Sequence, residues 1–185
     1  QRQMCIRDRV DGWSIDIKGC PQMKRALVNI DHSIVFRNAK HVLDLGGHVE
    51  MVYLVVTNTN DFDECVEWII GKHVDVLGSE VPLHINRYYP AHRWFEPPTP
   101  IEKLTDIASR ARGAGVEYVY VGNVGRPELE STRCPKCNKM LIYRYGYRVR
   151  EFNLDREGET YRCPRCGHKI PIRGRYIADK KYLWF

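Results

Sequence analysis

An α/β fold closed by a small metal-stapled module is predicted for this 185-residue chain, and three observations predict it. Period-2 and period-3.6 apolar patterns alternate from Val10 to Val121, giving the order βαβαβαβ. That order argues for parallel strands joined by right-handed crossovers, as an open sheet or as part of a barrel. No glycine-rich phosphate fingerprint follows any strand, so a dinucleotide fold is not favoured. Two CPxC pairs then mark a separate module, which divides the chain into residues 10–126 and 127–185.

Residues 1–9, QRQMCIRDR, have neither periodicity, and a non-native or disordered leader is expected there. The first strand is predicted over Val10–Lys18. Ile15 and Ile17 alternate with Asp16 and Lys18 before Gly19 and Pro21 end it, so an acid and a base leave one strand end together. Carboxyl ends of parallel strands carry the chemistry, which makes Asp16 and Lys18 a candidate ligand pair; the alternative is that they pair with each other. Met23–Leu45 carries a helical stripe of Ile30, Ile34, Val35, Ala39, Val42 and Leu43, stopped by Gly46 and Gly47.

Val49–Val56 is nearly continuous in apolar residues, as expected for a strand covered on both faces. Asp61 and Glu64 form a capping-box pattern ahead of Cys65, Val66, Ile69 and Ile70, and Cys65 reads as plain core. Val81–Ile85 is the third strand. Its His84 is either a ligand residue or a satisfied polar group beneath the following loop. That loop, Asn86–Pro98, holds Arg87, Tyr88, Tyr89, His92, Arg93, Trp94 and Phe95, and reads as a substrate lid or as a plug over a barrel end. Thr99, Pro100 and Glu102 give an N-cap signature for a helix continued by Leu104, Ile107, Ala108 and Ala111. Tyr118–Val121 is the fourth strand.

With 43% apolar and 28% charged residues, composition favours a globular protein. No apolar run reaches the roughly 18–20 residues that a bilayer requires, and no basic flank precedes an apolar signal core, so no membrane partner and a cytoplasmic location are expected. The net charge of +6 is uneven. Gln1–Thr132 holds 15 basic and 18 acidic residues, whereas Arg133–Phe185 holds 14 and 5. Such a tail is either a solvated basic face around a metal module or a surface for nucleic acid, an acidic partner or an anionic surface, and nucleic acid is not favoured.

Cys134-Pro-Lys-Cys137 and Cys163-Pro-Arg-Cys166-Gly167 are the strongest motif. Each half turns tightly enough to aim two thiolates at one ion, and the two halves complete a tetrahedral four-sulfur site. Zinc is the expected occupant, with a lone iron or an auxiliary cluster the alternative. Short strands over Met140–Val149 and Thr160–Arg162 suggest a zinc ribbon that needs its metal to fold. Four sulfurs leave no open position for catalysis, and no arrangement of serine, cysteine or histidine suggests nucleophilic chemistry.

The succession GWSIDIKG, VEMVYLVV with TNTND, VPLHINRYYP, PPTPIEKL, EYVYVGNV, and TRCPKC with RCPRCG resembles the radical SAM enzymes of the AmmeMemoRadiSam system. These are relatives of the pyruvate formate-lyase activating enzymes. The resemblance implies the C-terminal half of a partial (β/α)6 barrel followed by the four-cysteine zinc ribbon. It also implies a 4Fe-4S cluster and S-adenosylmethionine, cleaved reductively to a 5'-deoxyadenosyl radical that acts on a protein or a small molecule. A reductant such as ferredoxin or flavodoxin would supply the electron. Carried over from the family's D-x-K and strand histidine, Lys18 would neutralise the methionine carboxylate, Asp16 would hold a cation or the amino group, and His84 would bond the nucleoside side. The family's CxxxCxxC has no counterpart here, and Cys5 and Cys20 cannot supply it. The expectation is therefore a fragment of an enzyme, inactive alone. The rival is a complete small zinc-ribbon protein that binds nucleic acid through its basic tail.

Overall fold

Residues 10, 12–23 and 27–177 are described by the computed structural model, and the chain divides between Gly125 and Arg126 into two units. The leader at 1–9, with Cys5, lies outside the described residues. In the first unit, β1 (Gly12–Ile17), β2 (His48–Val55), β3 (Leu83–Arg87) and β4 (Val119–Gly122) form a parallel sheet whose spatial order follows the chain. The register sets Asp16 beside Val52, Val52 beside His84, and His84 beside Tyr120.

Helices α1 (Ser33–Asp44), α2 (Asp63–Lys72) and α3 (Ile101–Gly113) fill the three crossovers, and a π-helical turn over His73–Leu77 prolongs α2. When consecutive strands are neighbours and every crossover is right-handed, all the helices fall on one face. That face is the core: Met51, Tyr53, Leu83 and Ile85 are fully buried with Phe36, Ile69, Leu104 and Ile107. The opposite face is only partly covered. Along β2 the residues alternate between half-buried and buried, which corrects the expectation of a strand covered on both faces. Apolar Val52 and Leu54 disguise the alternation that His48 and Glu50 would otherwise reveal.

Local helix signals are corrected at three points. Residues 27–32 are not helical, and residues 24–26 of the expected Met23–Leu45 stripe lie outside the described residues. The carboxylate of Asp31 accepts from Ser33 N at 2.9 Å and starts the turn there, leaving Ile30 exposed; Phe36, edge-on to Trp68 at 5.7 Å, anchors the helix instead. At α2 the cap residue is Phe62, without a side-chain cap bond, and Asp63 meets Arg110 at 2.7 Å. At α3 the cap residue is Pro100, because the buried Thr99 turns its hydroxyl to Val55 O at 2.6 Å. Cys65 is buried but is not plain core, since it is joined to Cys20 in a disulfide with Cα atoms 5.4 Å apart.

The second unit opens with the short helix α4 (Pro127–Glu130). β5 (Thr132–Arg133), β6 (Met140–Tyr145) and β7 (Arg148–Phe152) form one antiparallel sheet, and β8 (Asp155–Glu157), β9 (Thr160–Arg162) and β10 (Lys169–Ile170) form another in the order β10-β9-β8. The β6–β7 reversal uses Gly146 at φ 56°, a conformation that favours glycine. Leu141, Ile142, Tyr161 and Ile170 make its small core. Among the described residues, no helix is long and apolar enough to cross a membrane.

Candidate functional site

Cys134, Cys137, Cys163 and Cys166 converge, with their sulfurs all within 4.8 Å of one another. Two equivalent knuckles present them. In the first, Cys134 N donates to Lys139 O and Asn138 N donates to Cys134 O, each at 2.9 Å; in the second, Cys163 N and His168 O, then Gly167 N and Cys163 O, repeat both bonds at 2.9 Å. Asn138 at φ 58° and Gly167 at φ 70° occupy the same left-handed position, which glycine and asparagine tolerate best. Thiolates about 2.3 Å from a tetrahedral zinc lie about 3.8 Å apart, and the Cys134–Cys166 and Cys137–Cys163 separations are 3.6 Å. The geometry therefore fits a metal such as zinc. Burial pushes the Cys134 thiol up to about 12; burial acts the same way on Cys163, but backbone N–H groups of Arg165 and Cys166 bring it down to about 7. Four thiolates cannot share this space without a cation, so metal binding and deprotonation are one event.

A 4Fe-4S cluster is also held by thiolates. Among the described residues, the remaining cysteines are Cys20 and Cys65, which bond to each other. These residues do not fit such a cluster.

The three residues expected to hold S-adenosylmethionine lie on the sheet face opposite the three crossover helices of the described first unit. Lys18 Nζ is 3.1 Å from Asp16 Oδ1, so acid and base do pair. His84 stands level with Asp16 across Val52, two strand spacings or about 10 Å away, and the two do not meet. Instead, His84 Nε2 lies 2.8 Å from Glu50 Oε2, and its ring stacks on Tyr120 at 4.9 Å and 24°. Glu50 Oε1 in turn lies 3.2 Å from His48 Nε2. Hydrogen bonds from His48 and then His84 hold the Glu50 carboxyl well below the usual carboxylate range, against the effect of burial. Sequence reasoning missed Glu50 and His48. The signal that could have found them is their period-2 spacing inside an apolar strand.

The carboxyl ends of the strands are tied into a rim. Buried Asn60 accepts from Val56 N at 2.7 Å and donates to Lys18 O at 3.1 Å and Leu54 O at 2.9 Å, fastening the end of β1 to that of β2. The aromatic loop is bound to the same rim. Arg87 donates to Thr99 O at 2.8 Å and lies over the Tyr89 ring at 4.8 Å, while Tyr89 donates to Asn123 O at 3.0 Å. Gly122 leaves room for Asn86, since a Cβ there would meet Asn86 Oδ1 at 2.3 Å. Two arginines of the basic module make bonds within it. Arg144 donates to Glu130 O and Thr132 Oγ1, and Arg162 meets Glu157 and Gly167 O.

No family model matches the chain. It is similar to Uncharacterized protein MJ0808 of Methanocaldococcus jannaschii, 40% identical over 164 residues, which covers 88% of this chain and 49% of that protein. The chain thus spans about half the length of the curated relative it matches, and that relative's name states no activity.

Proposed function

We propose that the chain is the C-terminal half of a radical SAM enzyme's partial (β/α)6 barrel, followed by a structural zinc ribbon. The observation that carries this reading is a parallel sheet in consecutive order whose face opposite the crossover helices bears Asp16, Lys18 and His84. A sheet with helices on one side covers its other side by curling toward a barrel, and the polar lining of this face suits a lumen that takes a charged ligand. S-adenosylmethionine is zwitterionic at its methionine end. Lys18 is suited to the carboxylate, Asp16 to the amino group or a cation, and His84 to the nucleoside. Supplied with one electron by a ferredoxin- or flavodoxin-like reductant, cleavage of the C5'–S bond yields methionine and a 5'-deoxyadenosyl radical for a protein or small-molecule substrate. Because the described cysteines do not fit the cluster, that chemistry belongs to the longer protein.

The test uses the longer Methanocaldococcus relative beside this chain. Both are reconstituted anaerobically with iron and sulfide, reduced with dithionite and given S-adenosylmethionine. The relative is expected to release 5'-deoxyadenosine and methionine in equal amounts, and this chain neither. Failure of the relative to form 5'-deoxyadenosine overturns the reading, and formation by this chain alone overturns its status as a half.

A further inference from the structure

A carboxylate outside every quoted ligand motif sits at the centre of the sheet face opposite the crossover helices. Both oxygens of Glu50 are occupied, Oε1 by His48 Nε2 at 3.2 Å and Oε2 by His84 Nε2 at 2.8 Å. An ionised carboxylate only accepts hydrogen bonds, so each neutral imidazole must carry its proton on Nε2. The depressed proton affinity of Glu50 agrees, because the same two bonds keep it ionised. In its neutral form His84 then has an unprotonated Nδ1, and stacking on Tyr120 restrains its ring from turning over. All three side chains remain within reach of solvent or ligand, at 28%, 29% and 41% exposure for His48, His84 and Glu50.

We propose that Glu50 is a positioning residue: by fixing His84 in the Nε2–H tautomer it makes His84 an acceptor, through Nδ1, for a hydroxyl or amino donor of the bound ligand. The inference rests on the reading of this face as the S-adenosylmethionine face and deepens it. It divides the recognition chemically. Lys18 and Asp16 meet the charged methionine end, while His84 meets a neutral donor on the nucleoside. A histidine without a carboxylate behind it populates both tautomers, and one of them would set N–H against the ligand's own N–H or O–H. His48 completes the device by occupying the second oxygen, which leaves Glu50 one orientation.

Imidazole tautomers are read directly by long-range proton–nitrogen NMR on the zinc-loaded full chain with labelled histidines. The wild-type chain is expected to show His48 and His84 protonated at Nε2. In Glu50→Gln only one amide oxygen remains, so one imidazole must switch to the Nδ1–H form to face the amide NH2. In Glu50→Ala both become tautomer mixtures, with circular dichroism and zinc content unchanged. An Nδ1–H tautomer or a doubly protonated imidazole for wild-type His84, or patterns unaltered in both variants, overturns the proposal. Added S-adenosylmethionine is expected to shift His84 Nδ1 upfield in the wild type and not in Glu50→Ala; a shift confined to Nε2 overturns it. If no imidazole responds to S-adenosylmethionine, the acceptor role of His84 is overturned, while the ligand reading of the face is decided separately by 5'-deoxyadenosine release from the longer relative.

Discussion

Asn60 is fully buried, and its amide joins three backbone groups: Val56 N, Leu54 O and Lys18 O. Its own carbonyl accepts the hydroxyl of Tyr53, another buried side chain. One residue therefore determines where the chain leaves β1 and β2, and so where Lys18 stands. The sequence TNTN announces only a break after a strand. Replacing Asn60 by Ala leaves the buried Val56 N–H without its partner and removes two part-buried bonds, at about 1–3 kcal/mol for a buried group left unpaired. Chemical denaturation of Asn60→Ala is expected to show an unfolding free energy lower by at least that amount, seen as a lower midpoint with an unchanged slope. Asn38→Ala, at an exposed helical position bonded to neighbouring Arg37, is the control expected to change little. Equal midpoints for wild type and Asn60→Ala would show that the rim is held by something else.

The metal knuckles are legible from sequence because everything they need is local: two cysteines, a turn, and a left-handed position filled by Asn138 or Gly167. Each backbone bond in a knuckle spans four or five residues. Cys163→Ser removes one of four thiolates, and its zinc affinity is expected to fall by more than the roughly 10–100-fold that changes outside the ligand set produce. Elemental analysis of the wild-type chain should find about one zinc per chain, and retention unchanged in the variant would refute the tetrad. The succession of strands and helices, and with it a parallel sheet, was legible for a similar reason, since the alternating periods are local and leave few topologies. What escaped was non-local. Thr99 has the composition of a cap, but its hydroxyl bonds Val55, 44 residues earlier. Asp63 is drawn to Arg110, 47 residues later, and Cys65 to Cys20, 45 residues earlier. Glu50 was hidden differently: a carboxylate in an apolar run reads as an interruption until His84, 34 residues away, is brought beside it.

The two units are stabilised by different means, and that difference can be measured. Residues up to Gly125 bury a continuous layer of large side chains between sheet and helices, from Phe36 and Tyr53 to Leu104 and Ile107. Apolar burial at about 25 cal/mol per Å² suffices for a layer of that extent. Among the described residues from Arg126 onward the fully buried apolar groups are few, chiefly Leu141, Tyr161 and Ile170, and the two small sheets have strands of two to six residues. A core this small does not offset the conformational entropy of its own chain, so the ion must supply the deficit. Treating the zinc-loaded chain with a strong chelator and following amide exchange is the direct experiment. Protection is expected to collapse in β6, β7 and β9 while β2, β3 and α3 keep theirs, and added zinc should restore the lost set. Protection retained in β6 and β9 after complete zinc removal would mean that the module folds on its apolar core alone. Loss in both units together would mean that the metal supports the parallel sheet as well.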